Sequence, residues 1–95
     1  MEKVVKILAT RFITHDVKSF ILERPKSYQF IPGQVTDVSI NKPNWKDKKR
    51  PFTFASLDSD LVLEFIIKRY PEHKGVTEQI HQLKAGDLLF HIPIL

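Results

Sequence analysis

Period-two patterning runs through most of this chain, and helical spacing is confined to one late segment. Residues 4–12 and 17–23 are rich in β-branched and apolar side chains around a Thr-His-Asp break, with Phe20 and Leu22 on one face, and are expected to form a hairpin. RPKSYQFIPGQ, residues 24–34, is an extended connection that turns at Pro32-Gly33, where proline fixes φ and glycine permits φ > 0. Thr36, Val38 and Ile40 then alternate with Val35, Asp37 and Ser39 in a third strand. Beyond the basic loop NKPNWKDKK, residues 52–56 give a fourth strand. After the polar turn SLDSD, residues 61–68 give a fifth, with Leu61, Leu63, Phe65 and Ile67 facing one way. Past RYPEHKG the period changes. Val76, Ile80 and Leu83 fall at i, i+4 and i+7 behind Gly75, with Gly86 as C-terminal cap, which predicts one short helix. Leu88, Phe90 and Ile92 mark a sixth strand ended by Pro93.

Strands that do not alternate with helices exclude a doubly wound sheet and leave edges to be protected. The economical solution is an all-β fold: a six-stranded antiparallel Greek-key barrel with one short helix inserted between the fifth and sixth strands. Its interior takes the alternating apolar residues, and most lysines stay outside. Ninety-five residues with 42% apolar content suffice for one such domain, residues 1–95, and for no second folded unit. The absence of cysteine excludes a disulfide framework, a thiolate nucleophile and a thiolate metal site, and suits a cytoplasmic setting. Lys6 interrupts the short apolar run at the start, so neither a signal peptide nor a membrane span is expected. A net charge of +4 suits an anionic partner without choosing one.

Three features bear on chemistry. Gly75 opens the predicted helix, and the N–H groups of Val76, Thr77 and Glu78 make either a phosphate site or a water-solvated cap. Glu78 competes for the same positive end. Arg50 at a strand start is either a solvated cation or a bidentate phosphate ligand. Phe52 shares a strand face with Arg50, and Thr53 points the other way, so one ligand reaches all three only along the strand or across a bend at Pro51. A phenyl ring stacks on a planar heterocycle and a hydroxyl bonds a ring nitrogen; the alternative is plain packing.

RPFTFAS resembles the Arg-x-Tyr-Ser/Thr motif of the ferredoxin-NADP reductase-like flavoproteins, and FIPGQ resembles the Phe-x-Pro-Gly-Gln turn before their third strand. GVTEQIHQLKAGDLL resembles their phosphate-binding helix and the Lys-x-Gly-Asp strand entry that follows. The likeness spans nearly the whole chain in order and is to the flavin-binding (FR-type) barrel of flavodoxin and ferredoxin reductases. It implies that Arg50 holds the FAD pyrophosphate, and that Phe52 replaces the tyrosine that stacks on the isoalloxazine. Thr53, the residue nearest the chemistry, would hydrogen-bond near flavin N5. Ile67 and Lys68 would border the flavin, and Gly75, Val76 and Thr77 would present amides and a hydroxyl to the diphosphate. The diphosphate site favours FAD over FMN. Phenylalanine for tyrosine at position 52 keeps the stacking and loses one hydrogen bond, about 1 kcal/mol.

The implied function is an FAD-dependent NAD(P)H oxidoreductase passing electrons to a flavodoxin, ferredoxin or similar acceptor. No Gly-rich turn for NAD(P)H is present, so that site belongs to a domain absent from this chain, and the flavin half is expected to be inactive with NAD(P)H alone. Trp45 and the lysines of its loop suit an acidic electron-transfer protein or nucleic acid, or make up a solvated mobile loop with one tethering Trp. The competing readings are an OB-like barrel for single-stranded nucleic acid and an interaction domain with a decayed flavin site. His15, His73, His81 and His91 lack metal-ligand spacing and are expected to be solvated, so no metal is implied. Asp58, Asp60 and Asp87 lie at turns and are expected to make local backbone hydrogen bonds.

Overall fold

The computed structural model describes residues 3–25, 28–31, 33–56, 60–69 and 75–92. In chain order the elements are β1 (Lys3–Phe12), β2 (Val17–Glu23), β3 (Val35–Ile40), β4 (Arg50–Thr53), β5 (Val62–Lys68), α1 (Val76–His81) and β6 (Leu88–Ile92). The strands form one antiparallel sheet in the order β4-β3-β6-β1-β2-β5. β1 serves two neighbours. Lys3 to Lys6 pair with β6, Ile7 to Phe12 run along β2, and a bulge between Ile7 and Ala9 interrupts that second ladder. No helix among the described residues is long and apolar enough to cross a membrane.

The core follows the alternation. Val5 and Ile7 of β1, Phe20 and Leu22 of β2, Val38 and Ile40 of β3, and Leu63, Phe65 and Ile67 of β5 are all buried. Val76 and Ile80 of α1 close one side of this core, with Leu83 just past the helix. Tyr28, Phe30 and Phe54 add an aromatic cluster, with the Phe30 and Phe54 ring centroids 4.6 Å apart. The turn into β3 has the form expected of Pro-Gly: Gln34 N–H bonds Ile31 C=O at 2.8 Å, and Gly33 has φ 84°.

Several expectations need correction. β4 begins at Arg50 and ends at Thr53, so Phe54 and Ser56 lie beyond the strand, although both are buried. Leu61 precedes β5 and is 92% exposed, outside the core row it was expected to start. In β6 it is Leu89 that is buried while Leu88 faces outward, the opposite parity to that expected. Adjacent leucines carry no alternation signal, and the register against β1 and β3 decides between them. The helix ends at His81 with Gln82 as its cap; Gly86, at φ 96°, serves the turn into β6, where Asp87 N–H bonds Lys84 C=O at 3.0 Å. In the same turn Asp87 Oδ2 accepts from Lys84 N–H at 2.9 Å, the local bond expected of it. Residues 26, 27, 32, 57–59, 70–74 and 93–95, and with them Asp58, His73 and Pro93, lie outside the described residues.

Candidate functional site

The sheet has two edges, β4 and β5, and they meet without forming a ladder. Ala55 N–H bonds Glu64 C=O at 2.9 Å, and Glu64 N–H returns a bond to Ser56 Oγ at 3.1 Å. Ser19 on β2 braces this clasp by donating to Glu64 Oε2 at 2.6 Å. From the clasp the chain runs back through Thr53 to Arg50 on one side and forward through Ile66 to Lys68 on the other. The result is a gap between two strand edges that form no ladder with each other.

Alternation says which groups face that gap. Phe54 N–H bonds Gln34 C=O on the β3 side, and Ala55 N–H bonds across to β5. Thr53, two residues before Ala55, therefore turns its peptide groups to the open edge. On β5 Glu64 faces β4, so Ile66 and Lys68 turn theirs to the gap, while Ile67 turns its own toward β2, opposite Lys18. Ile66, 48% exposed, is a gap-lining residue the sequence reading missed. Only the clasp reveals it.

The side chains sort as follows. Arg50 pairs across the ladder with Val38 and Phe52 with Thr36, so both project from the face that carries the core residues Val38 and Thr36. Arg50 is exposed and donates to the neighbouring Lys49 C=O at 2.8 Å. Phe52 is half-buried, its ring tilted 53° to Phe65 with centroids 6.0 Å apart. Phe65 is in turn stacked on Phe54 at 5.1 Å. Thr53 is exposed on the other face, beside Val35. Because β4 is an edge strand, a ligand at its open side is within reach of both faces, which removes the need for a bend at Pro51. The side chains of Ile67 and Val76 are 3% and 2% exposed; Ile67, whose peptide groups turn toward β2, thus faces away from the gap, and Val76 has only its backbone to offer a ligand.

α1 is tied to the Lys68 end of the gap. Arg69 Nε donates to both carboxylate oxygens of Glu78, at 2.9 and 3.0 Å, and its Nη2 lies 2.8 Å from Oε2. The hydrogen bond and charge of Arg69 hold the Glu78 carboxyl below the usual carboxylate range. The acidic residue of the first turn is thus turned to Arg69. Gly75 supplies no side-chain cap, which leaves the first-turn amides for another acceptor. β4 and β5 run antiparallel, so the Lys68 end of the gap is also the Arg50 end.

His81 departs most from expectation. It is 6% exposed, and Nε2 lies 2.6 Å from Ile67 C=O, which makes Nε2 the protonated nitrogen; Nδ1 is buried without a partner. Lys18, also buried, donates Nζ to His81 C=O at 2.9 Å and Leu83 C=O at 3.1 Å, and lies over the Phe12 and Phe20 rings. Burial lowers the pKa of this ammonium. His15, by contrast, is exposed. Among the described residues no cluster of His, Asp and Glu is arranged to hold a metal ion.

The loop before β4 is organised rather than loose. Trp45 is half-buried against the core, Lys46 N–H bonds Lys42 C=O at 3.0 Å, and Lys48 Nζ lies 4.7 Å from the Trp45 ring centroid. Its cations Lys42, Lys46, Lys48 and Lys49 with Arg50, set against Asp47, equal the chain's entire net charge of +4.

A phenyl face, an exposed arginine, an uncapped helix start and two open strand edges suit a ligand that is flat at one end and anionic at the other. Known proteins agree. NADH-cytochrome b5 reductase 1 of Kluyveromyces lactis is 36% identical over 85% of this chain, and the chain covers 30% of that protein. The ferredoxin NAD(P)+ reductase component of the naphthalene 1,2-dioxygenase system of Pseudomonas putida is 28% identical over 80% of the chain, which covers 22% of it. The chain thus spans less than a third of the length of either relative. The structure of the ferredoxin reductase in carbazole 1,9a-dioxygenase superposes on 99% of this chain with a TM-score of 0.80 and 27% identity, and the chain covers 28% of it. Residues 2–87 match the family described as FAD-binding domain, and the chain belongs to that family.

Proposed function

We propose that the β4–β5 gap seats FAD, and that this chain is the flavin half of an NAD(P)H-dependent reductase that hands electrons to a ferredoxin, flavodoxin or comparable acceptor. The observation that supports the reading is that Arg50 and Phe52 lie on β4 and the α1 start is tied through Glu78 to Arg69, just past β5, on the two strand edges that form no ladder with each other. Arg50 and the amides of Gly75, Val76 and Thr77 meet the diphosphate, Phe52 offers the open side of its half-buried ring to the isoalloxazine, and Thr53 with Ile66 and Lys68 lines the ring's edges. When bound, the flavin supplies hydride acceptance and single-electron release; the chain's residues orient it and screen it from water. NAD(P)H binds outside this chain, so the chain alone leaves NAD(P)H unoxidised.

FAD titration of the purified protein, followed by fluorescence quenching, tests the reading. Saturable quenching in the wild type, markedly weakened in Arg50→Ala and Phe52→Ala variants that still fold, supports it. A folded wild type that leaves FAD fluorescence unchanged overturns it and revives the decayed-site reading. The basic loop beside β4 fits an acidic electron-transfer protein. Steeply salt-dependent oligonucleotide binding without flavin binding would instead favour a nucleic-acid barrel.

A further inference from the structure

We propose that Ile66 is a specificity-determining residue: its side chain forms an apolar rim of the flavin seat and reserves the reduced ring for a protein acceptor by keeping water and dioxygen from its edge. The inference rests on the assignment of FAD to the β4–β5 gap. The clasp fixes the place. Ala55 N–H bonds Glu64 C=O at 2.9 Å, and β4 and β5 run antiparallel, so two residues further from the clasp Thr53 and Ile66 stand opposite each other across the gap. Alternation fixes the face. Leu63, Phe65 and Ile67 point into the core, so Glu64, Ile66 and Lys68 project from the outer face of β5, as Thr53 projects from the outer face of β4.

Those three β5 side chains are not equivalent. Glu64 is held toward β2 by Ser19, which donates to Oε2 at 2.6 Å, and Lys68 carries a charge; Ile66 is the apolar one. It is 48% exposed, although Ser19, its partner in the β2–β5 ladder, is buried. A single exposed isoleucine is ordinary on a strand. This one borders a seat whose core side is already closed by the Phe52 and Phe65 rings, with centroids 6.0 Å apart. A flat ring in the gap therefore meets aromatic carbon on the core side and the Ile66 side chain at its outer rim, and seating it takes that side chain's apolar surface out of water. The consequence lies in what the reduced ring reacts with. Its two electrons can leave one at a time to a protein that needs only to come near. Dioxygen instead takes both at the ring edge, with the N5 hydrogen as one proton and a second from solvent, and yields hydrogen peroxide and oxidised flavin. An apolar rim that excludes water hinders the dioxygen route and leaves the protein route open.

FAD-loaded protein, reduced by light with EDTA in the absence of air and then mixed with air-saturated buffer in a stopped-flow instrument, tests the rim. Protein is kept in excess over FAD and well above the measured Kd, so that free flavin does not contribute. Ile66→Ala should reoxidise about fivefold faster than the wild type, with the visible bands of the bound flavin altered toward those of the solvated ring. Ile66→Leu, which restores the bulk, should return both toward wild-type values. Wild-type reoxidation and band shape in Ile66→Ala would overturn the proposal, as would an Ile66→Leu protein that reoxidises as fast as Ile66→Ala. If Ile66→Ala does not fold, the wild type decides: the Ile66 methyl resonances must move when FAD saturates the protein, and methyl signals that stay in place overturn the proposal. A wild type that binds no FAD removes the underlying flavin assignment, a result distinct from either.

Discussion

Arg50 and Phe52 are two residues apart on one strand face, yet their substitution should be felt differently. Arg50→Ala removes charge-assisted hydrogen bonds worth about 1.5–3 kcal/mol, so FAD should bind roughly 10–100-fold more weakly with little change in melting temperature, since the side chain is solvated. Phe52→Tyr adds a hydroxyl to a half-buried ring and should tighten FAD by up to about tenfold, measured by the same quenching titration. Lys18→Met keeps the aliphatic stem and strips two buried carbonyl oxygens of their donor, which should cost about 1–3 kcal/mol in urea unfolding. The sequence made the first two residues visible because a charge followed by aromatic residues is odd in any strand. It hid Lys18 and His81, whose partners are main-chain oxygens brought close only by the packing of α1 on β2 and β5. A polar residue at a core position looks like a surface residue until its acceptor is known.

At the scale of elements, α1 is held to β5 by an ion pair at its start and a histidine at its end, and the ion pair gives the fold a pH signature. Arg69 depresses the Glu78 carboxyl, so folding favours the deprotonated form. Its contribution is complete above the usual carboxylate range and is lost as the pH falls through the lowered value. Melting temperature followed from about pH 7 to about pH 3 should therefore drop further in the wild type than in Glu78→Gln, with the two curves converging at the acid end. The β4–β5 clasp allows a second test. Ala55→Pro deletes the N–H that bonds Glu64 and should weaken FAD binding together with stability, by about 1–3 kcal/mol in urea unfolding. Strand identities and the Pro-Gly turn were legible because period two and turn chemistry are local. The clasp was not, since Ala55 and Glu64 carry no side-chain sign that their backbones meet. Leu61 looked like core for the same reason: its position fits the β5 period, but the sheet begins one residue later.

Across the whole molecule, charge is unevenly placed, with the loop before β4 and Arg50 at the start of β4 together holding the equivalent of the full net +4. If the proposed transfer to an acidic acceptor holds, it should slow as ionic strength rises, and Lys46→Glu with Lys48→Glu should lower the association rate while leaving FAD content unchanged, as stopped-flow mixing with the acceptor would show. The strand order also sets a timetable. β6 is the last of the six strands in chain order, yet it sits between β3 and β1 and is the strand whose ladders join the β4-β3 half of the sheet to the β1-β2-β5 half. The two edges that face each other across the gap thus belong to halves that lack a ladder between them until β6 has been synthesised and inserted. A chain still emerging from the ribosome could build each half early and have no cofactor seat at all. Flavin capture therefore waits for β6, and a nascent chain halted before β6 should pass through FAD without taking any up.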